Sequence, residues 1–249
     1  MRRAEGVFLV EGVRLVEEAL KTGQSATIAL YDPELLQRST AGSLLLERIP
    51  GWAERSYEVT SHVLKAAAQT EHPAGVVAVL RSPHQSPLEA HQDDRFGVIL
   101  DGVADPGNAG TIIRTSAAAG VDYVISVGGG TDLFAPKVVR AGMGAHFRLP
   151  MYSHTSWSEI VLSLPRMTLI AADVRAEESI YSFSWPSRSA LVIGAEAHGL
   201  SNEAQSAISG RVRIPMVGGV ESLNAAAAAS IVIYTALGPG ISSEDERYR

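Results

Sequence analysis

The 249-residue sequence predicts an α/β protein of two domains, with a parallel sheet in the second and larger one. Three observations lead there. Short unbroken apolar stretches recur along the second half: FGVIL at 96–100, YVISV at 123–127, LIAA at 169–172 and LVI at 191–193. Strands without alternation belong in a parallel sheet covered on both faces. Segments with helical spacing fall between these stretches, so strand and helix alternate. Finally, Arg81–Arg95 (RSPHQSPLEAHQDDR) is polar and holds two Pro and two Ser, which reads as a linker. The division that follows is a small α/β domain over 1–85, a linker over 86–95 and a larger domain over 96–249.

In the first domain, Phe8–Val10 is a predicted strand, and Gly12–Leu20 a helix with Val13, Val16, Ala19 and Leu20 on one face. Ala26–Tyr31 reads as a strand, Leu44–Ile49 and Ser61–Ala68 as short helices, and Gly75–Leu80 (GVVAVL) as a buried strand. In the second domain the strands are Phe96–Leu100, Tyr123–Val127, Leu169–Ala172, Leu191–Ile193 and Val212–Ile214. The helices between and after them are Ala109–Ala119, Pro136–Met143, Trp157–Leu164, Asn202–Ile208 and Ser222–Leu237. The tail GPGISSEDERYR is expected to fray.

Composition narrows the function. Apolar residues make up 46% of the chain, enough for a large core and too many for a disordered segment. The absence of Cys excludes disulfide scaffolds, Cys-ligated zinc, iron–sulfur centres and a Cys nucleophile. No metal cluster with ligand-like spacing is present, since His62, His72, His84 and His91 stand apart from one another. No apolar run approaches the roughly 18 residues of a membrane span. The first residues, MRRAEGVFLVEG, reach Glu11 before a signal-like core develops, so a cytoplasmic protein is expected. The net charge is -6, and neither domain is basic. Charge alone therefore weighs mildly against a nucleic-acid partner. Most of the cations are Arg, however, whose planar fork suits phosphate and carboxylate.

Ligands in open α/β domains sit beyond the carboxyl ends of strands, and three such exits here are polar and Gly-rich. The first is DGVADPGNAGTIIRT at 101–115. Its glycines permit a tight loop, Asn108 is placed to cap the coming helix, and Arg114 lies one turn beyond Gly110 among apolar neighbours. An Arg so flanked snorkels, pairs with an acid or contacts a ligand. The glycine spacing is not that of the dinucleotide fingerprint. A triple Gly at 128–130 is either an anion-binding nest or a turn, and Lys137 and Arg140 add local positive charge one turn apart. The second exit, LVIGAEAHGLSNE at 191–203, sets Gly194 and Gly199 around Glu196, so that a cofactor can lie against main chain. His198 has no spaced partner and reads as a surface residue. At the third exit, IPMVGGVESLNAAAAASIVIYTAL at 214–237, Pro215 ends the strand and Ser222 is placed to cap a helix with no charge for three turns. Such a helix is buried on most sides. That leaves Ser222 and Asn224 at its polar head in need of a role.

Together these stretches resemble the SpoU/TrmH-type RNA 2'-O-ribose methyltransferases of the SPOUT superfamily. The resemblance rests on NAGTIIRT at Asn108–Thr115, GAEAHGLS at Gly194–Ser201 and IPMxGxxxSLN at Ile214–Asn224, and spans residues 96–238. The first 85 residues are similar to the ribosomal-protein-like, RNA-binding substrate domain that often precedes this catalytic domain. The resemblance implies an α/β SPOUT domain with a parallel sheet and a deep trefoil knot, a fold the ordinary rule against knots would not suggest. It implies S-adenosylmethionine as cofactor, RNA as partner and ribosomal RNA first among RNAs. It also implies a homodimer through the knotted domain, without membrane or metal. Transfer RNA as substrate, an antibiotic-resistance methyltransferase and a non-catalytic RNA-binding or ribosome-assembly protein are the alternatives.

Matched residue by residue, the family's catalytic set falls on Arg114, Asn108, Glu196, Ser222 and Asn224. Its cofactor-binding positions fall on Gly194, Glu196, Gly199, Ile214, Met216, Ser222, Leu223 and Asn224. Asn224 is usually followed in the family by Val-Ser, and here Ala225 and Ala226 stand instead. Arg is a poor general base because it stays protonated. Either Arg114 loses its proton locally, or it remains cationic and stabilises the developing alkoxide, which is physically the stronger reading.

Overall fold

The structure, a computed structural model, describes residues 5–82 and 95–238. The expected linker at 86–95 lies outside them up to residue 94, as does the expected frayed tail from 239. The chain forms two units, one of residues 1–85 with 134–148 and one of residues 86–133 with 149–249.

The first unit holds β1 (Val7–Glu11), α1 (Val13–Lys21), β2 (Ala26–Tyr31), α2 (Pro33–Leu36), α3 (Thr40–Trp52), β3 (Ala53–Glu58), α4 (Ser61–Ala67) and β4 (Val76–Arg81). Its sheet runs in the order β1-β4-β2-β3. β4 is antiparallel to both neighbours, and β3 is parallel to β2. Phe8, Leu36, Leu45, Ile49, Leu64 and Leu80 are fully buried. Asp32 caps α2, accepting from the Glu34 and Leu35 amides, and also accepts from Ser61 Oγ at 2.6 Å. Residues 134–148 complete this unit: the Phe8 ring lies 5.3 Å from that of Phe134 and 6.2 Å from that of Phe147, and Arg148 pairs with Glu18 at 2.9 Å.

The second unit is a six-stranded, wholly parallel sheet. β5 (Phe96–Asp101), α5 (Pro106–Ala119) and β6 (Tyr123–Val127) come first. The next helix, α6 (Pro136–Gly142), carries Lys137 and Arg140 and belongs to the first unit. Then follow β7 (Met151–Thr155), α7 (Trp157–Ser163), β8 (Thr168–Ala172), β9 (Ser189–Gly194), α8 (Asn202–Ala207), β10 (Gly210–Val212) and α9 (Ala225–Leu237). The order is β10-β8-β9-β5-β6-β7, and every pairing is parallel. β5, β6 and β9 are buried almost throughout, as unbroken apolar strands require. One core cluster joins Ile99, Ile125, Val192, Trp157 and Ile160. α9 packs on α5, β8 and β9, with Ala226, Ala229, Val232 and Ile233 buried.

In the first unit α3 begins at Thr40, four residues before the expected Leu44, and in the second unit two helix starts differ from those expected. α5 begins at Pro106 with Asp105 as its cap, whose carboxylate accepts from the Asn108 amide at 2.7 Å. Asp before Pro is the stronger start, because Pro's missing N–H costs nothing in the first turn. Asn108 therefore sits inside the helix with its side-chain amide free for other work. α9 begins at Ala225, not Ser222, and its cap is Asn224. No described helix is long and apolar enough to cross a membrane.

Candidate functional site

The three polar exits converge. β9 ends at Gly194, and the chain turns back on itself in a tight hairpin in which Ala195 and Gly199 exchange two backbone hydrogen bonds of 2.9 Å. A Cβ on Gly194 would stand 2.5 Å from the Gly199 carbonyl carbon, closer than any side chain allows. Gly199 itself has φ +67°. The hairpin thus depends on both glycines, and it raises Glu196 and His198, both exposed, toward the site.

Glu196 is tied to the other two motifs by a relay of amides. Asn108 Nδ2, on α5, donates to Glu196 Oε1 at 2.8 Å. Asn224 Nδ2 donates to Asn108 Oδ1 at 2.9 Å. Asn224 Oδ1 in turn accepts from the Ala226 and Ala227 amides at 2.9 and 3.2 Å, capping α9. Each amide's orientation is set by its neighbour, so three motifs far apart in sequence are locked into one arrangement. The cap needs no hydroxyl at 225 or 226, so the two Ala residues leave it intact.

Below the relay lies a cavity of about 640 Å³, walled by the exits of β8, β9 and β10 and by the start of α9. Gly194, Glu196, Gly199, Ile214, Met216, Ser222, Leu223 and Asn224 all line it. Its size suits a nucleoside-sized ligand. Gly194 and Gly199 offer close main-chain approach, and the rest of the lining mixes polar and apolar groups. His198 also lines it. Arg114 does not line the cavity. It lies on the exposed stripe of α5 with Gly107, Thr111 and Ala118, and makes no hydrogen bond or ion pair among the described residues. The triple Gly at 128–130 is a turn with positive φ at Gly128 and Gly129, and Gly130 alone is close-packed: a Cβ there would meet the Val103 carbonyl oxygen at 3.1 Å, and Thr131 N donates to that same oxygen. It belongs to the second unit, whereas Lys137 and Arg140 belong to the first.

Two groups escape the sequence reading. Asp101, the last residue of β5, is 2% exposed and accepts from Trp157 Nε1 at 2.9 Å, Ser201 N at 2.6 Å and Ser201 Oγ at 2.9 Å. It fastens the far end of the 194–201 hairpin to the sheet, and an acid closing an all-apolar strand is the signal that marks it. The second group follows β8. Burial pulls the Asp173 carboxyl upward, but hydrogen bonds from Arg175 and Arg211 outweigh it and hold the group below its ordinary value. The strand-exit rule, applied to LIAADVR as to the other three exits, points to it.

A parallel sheet whose glycine-rich exits close around one cavity defines the class, an α/β enzyme that holds a small molecule beyond its strand ends. Within that class the chain belongs to the SpoU rRNA methylase family, whose model matches residues 95–234. Residues 1–78 match the MRM3-like substrate binding domain. The zebrafish (Danio rerio) protein "rRNA methyltransferase 3A, mitochondrial" is 32% identical over 94% of this chain, which spans 64% of that protein's length. The "23S rRNA (uridine(2479)-2'-O)-methyltransferase" of Streptomyces viridochromogenes is 31% identical, covering 97% of this chain and 86% of its own. The crystal structure of the SpoU methyltransferase AviRb from the same organism, in complex with the cofactor AdoMet, superposes with a TM-score of 0.85 at 31% identity, over 97% of this chain and 93% of that one.

Proposed function

We propose that this protein transfers a methyl group from S-adenosylmethionine to a ribose 2'-hydroxyl of RNA, and of ribosomal RNA in particular. The observation that carries the reading is the Asn224–Asn108–Glu196 relay closing the three motifs over one cavity. The names of the relatives support the substrate, and the AdoMet complex of the similar structure supports the donor. When bound, the donor supplies a methyl group already activated by its sulfonium.

The residues divide the remaining work. Gly194, Gly199, Ile214, Met216 and Leu223 bring main chain and apolar surface against the donor. Asn224 and Asn108 hold Glu196 in one orientation at the cavity mouth. Ser222, exposed on the cavity wall, offers a hydroxyl to donor or substrate. Arg114, unpaired and exposed, is available to the incoming RNA. There its guanidinium stabilises the negative charge developing on the 2'-oxygen, while water takes up the 2'-proton. Replacing Arg114 with Ala is expected to lower methyl transfer by about 100-fold or more while leaving cofactor affinity within about twofold. Equal loss of both would remove the role. A substrate with a 2'-deoxy nucleotide at the target is expected to bind and accept no methyl group. Methylation of that substrate would move the reaction to a base atom.

The finer architecture is part of the same proposal: a trefoil knot in the second unit, a capture role for the first, and a homodimer. The irregular return of residues 213–224 to the same strand exits supports the knot. An experimental chain trace with a freely withdrawable C-terminal helix would refute it. Ile231 and Tyr234 on α9, with Val217 and Val220 before it, are exposed apolar side chains, which supports a two-fold mate. Sedimentation velocity is expected to give a dimer, converted to monomer by Tyr234→Glu. A wild-type monomer would count against it.

A further inference from the structure

The cavity wall at the exit of β8 takes no part in the division of work above. Asp173, Val174 and Arg175 follow directly on that strand, and all three line the cavity. Arg175 Nε donates to Asp173 Oδ1 at 3.2 Å and Arg175 Nη2 to Asp173 Oδ2 at 3.3 Å, while Arg211 Nη1 donates to Asp173 Oδ2 at 2.7 Å. One carboxylate serves two guanidinium groups, so the cluster keeps a net positive charge. The Asp173 side chain is 9% exposed and that of Arg175 is 81% exposed. The carboxylate is therefore the anchor, and the guanidinium is held at the open rim. Two of its five N–H donors are used by Asp173, which leaves the end-on edge of the fork open. Among the cavity's described lining residues the other ionisable side chains are Asp173, Glu196 and His198, so Arg175 is the permanent cation there.

S-adenosylmethionine ends in an aminocarboxylate. Its carboxylate needs donors when it leaves water, and a charged, planar fork is the strongest available. The start of α9 is a poor rival, because its Ala226 and Ala227 amides are already taken by Asn224. We infer that Arg175, braced by Asp173, is a carboxylate-binding subsite that selects donors carrying the full aminocarboxylate tail. The inference rests on the methyl-donor reading of the cavity.

Binding isotherms can test the two separately. The probes are S-adenosylhomocysteine, its decarboxylated analogue and 5'-methylthioadenosine, which lacks the whole tail, each titrated into the wild type, Arg175→Ala and Arg175→Lys. Arg175→Ala is expected to weaken S-adenosylhomocysteine by about tenfold or more, the equivalent of about 1.4 kcal/mol. Binding of the other two ligands is expected to change by less than about twofold, and Arg175→Lys to restore part of the loss by returning the charge. Equal weakening of all three ligands would make Arg175 a mere part of the wall and overturn the inference. An unchanged S-adenosylhomocysteine affinity would do the same. A wild type that binds none of the three would instead remove the methyl-donor reading, and the subsite with it.

Discussion

Asn224 does two things with one amide. Its oxygen caps α9, and its nitrogen orients Asn108 and through it Glu196. The two can be separated by substitution. Asn224→Ala is expected to cost about 1 kcal/mol of stability from the lost cap and to lower methyl transfer as Asn108 becomes free to rotate. Asn224→Ser keeps a capping oxygen but has no N–H to give. Chemical denaturation is expected to show most of the stability recovered, while turnover stays low. Recovery of both by Ser would reduce Asn224 to a cap. At this scale the sequence was only half legible. The residue types at 108, 196 and 224 were recognisable, but the two capping expectations missed by three residues and by two, because Asp105 and Asn224 compete better for those helix ends than Asn108 and Ser222. That competition is what frees Asn108 for the relay, and it depends on which carboxylate or amide the folded loop brings within reach.

At the scale of elements, the central strands were readable because full burial on two faces imposes an unbroken apolar run. The strands that periodicity does not predict, β3 (AERSYE) and β7 (MYSHT), are both edges of their sheets. An edge strand carries charge and polarity on its open side, which discourages pairing with another chain, and that protection erases the apolar signal. α2 escapes for another reason: four residues hold too little periodicity to detect. The join between β8 and β10 is also ionic. Asp173, just past β8, accepts from Arg211 on β10. Since its folded pKa is depressed, its contribution is fully present above the ordinary carboxylate value and is lost as pH falls through the folded value. Urea unfolding of wild type and Asp173→Asn is therefore expected to differ at pH 7 and to begin to converge only below about pH 4, as pH falls through the depressed folded value. A gap that persists at acid pH would mean the clamp works by shape alone.

The whole molecule is where the domain division read from composition meets its strongest qualification. A negatively charged chain can still serve RNA, since a local cation such as Arg114 lies on exposed surface. The linear split is less simple, because residues 134–148 group with the N-terminal unit although they lie deep within the matched methylase region. Phe8 is central to that grouping. It is 1% exposed, on β1, and its ring meets Phe134 and Phe147 from the distant segment. Aromatic contacts at these separations add to the burial itself, so Phe8→Ala is expected to cost about 3–5 kcal/mol. The location of the loss matters more than its size. If the first unit is one cooperative body of two chain segments, hydrogen exchange in Phe8→Ala should accelerate in β1 and in α6 together, with the Arg148–Glu18 pair loosened alongside. The amides of β5, β6 and β9, which belong to the other unit, should keep most of their protection. Acceleration confined to β1, with α6 as protected as before, would show that residues 134–148 draw their stability from elsewhere in the chain.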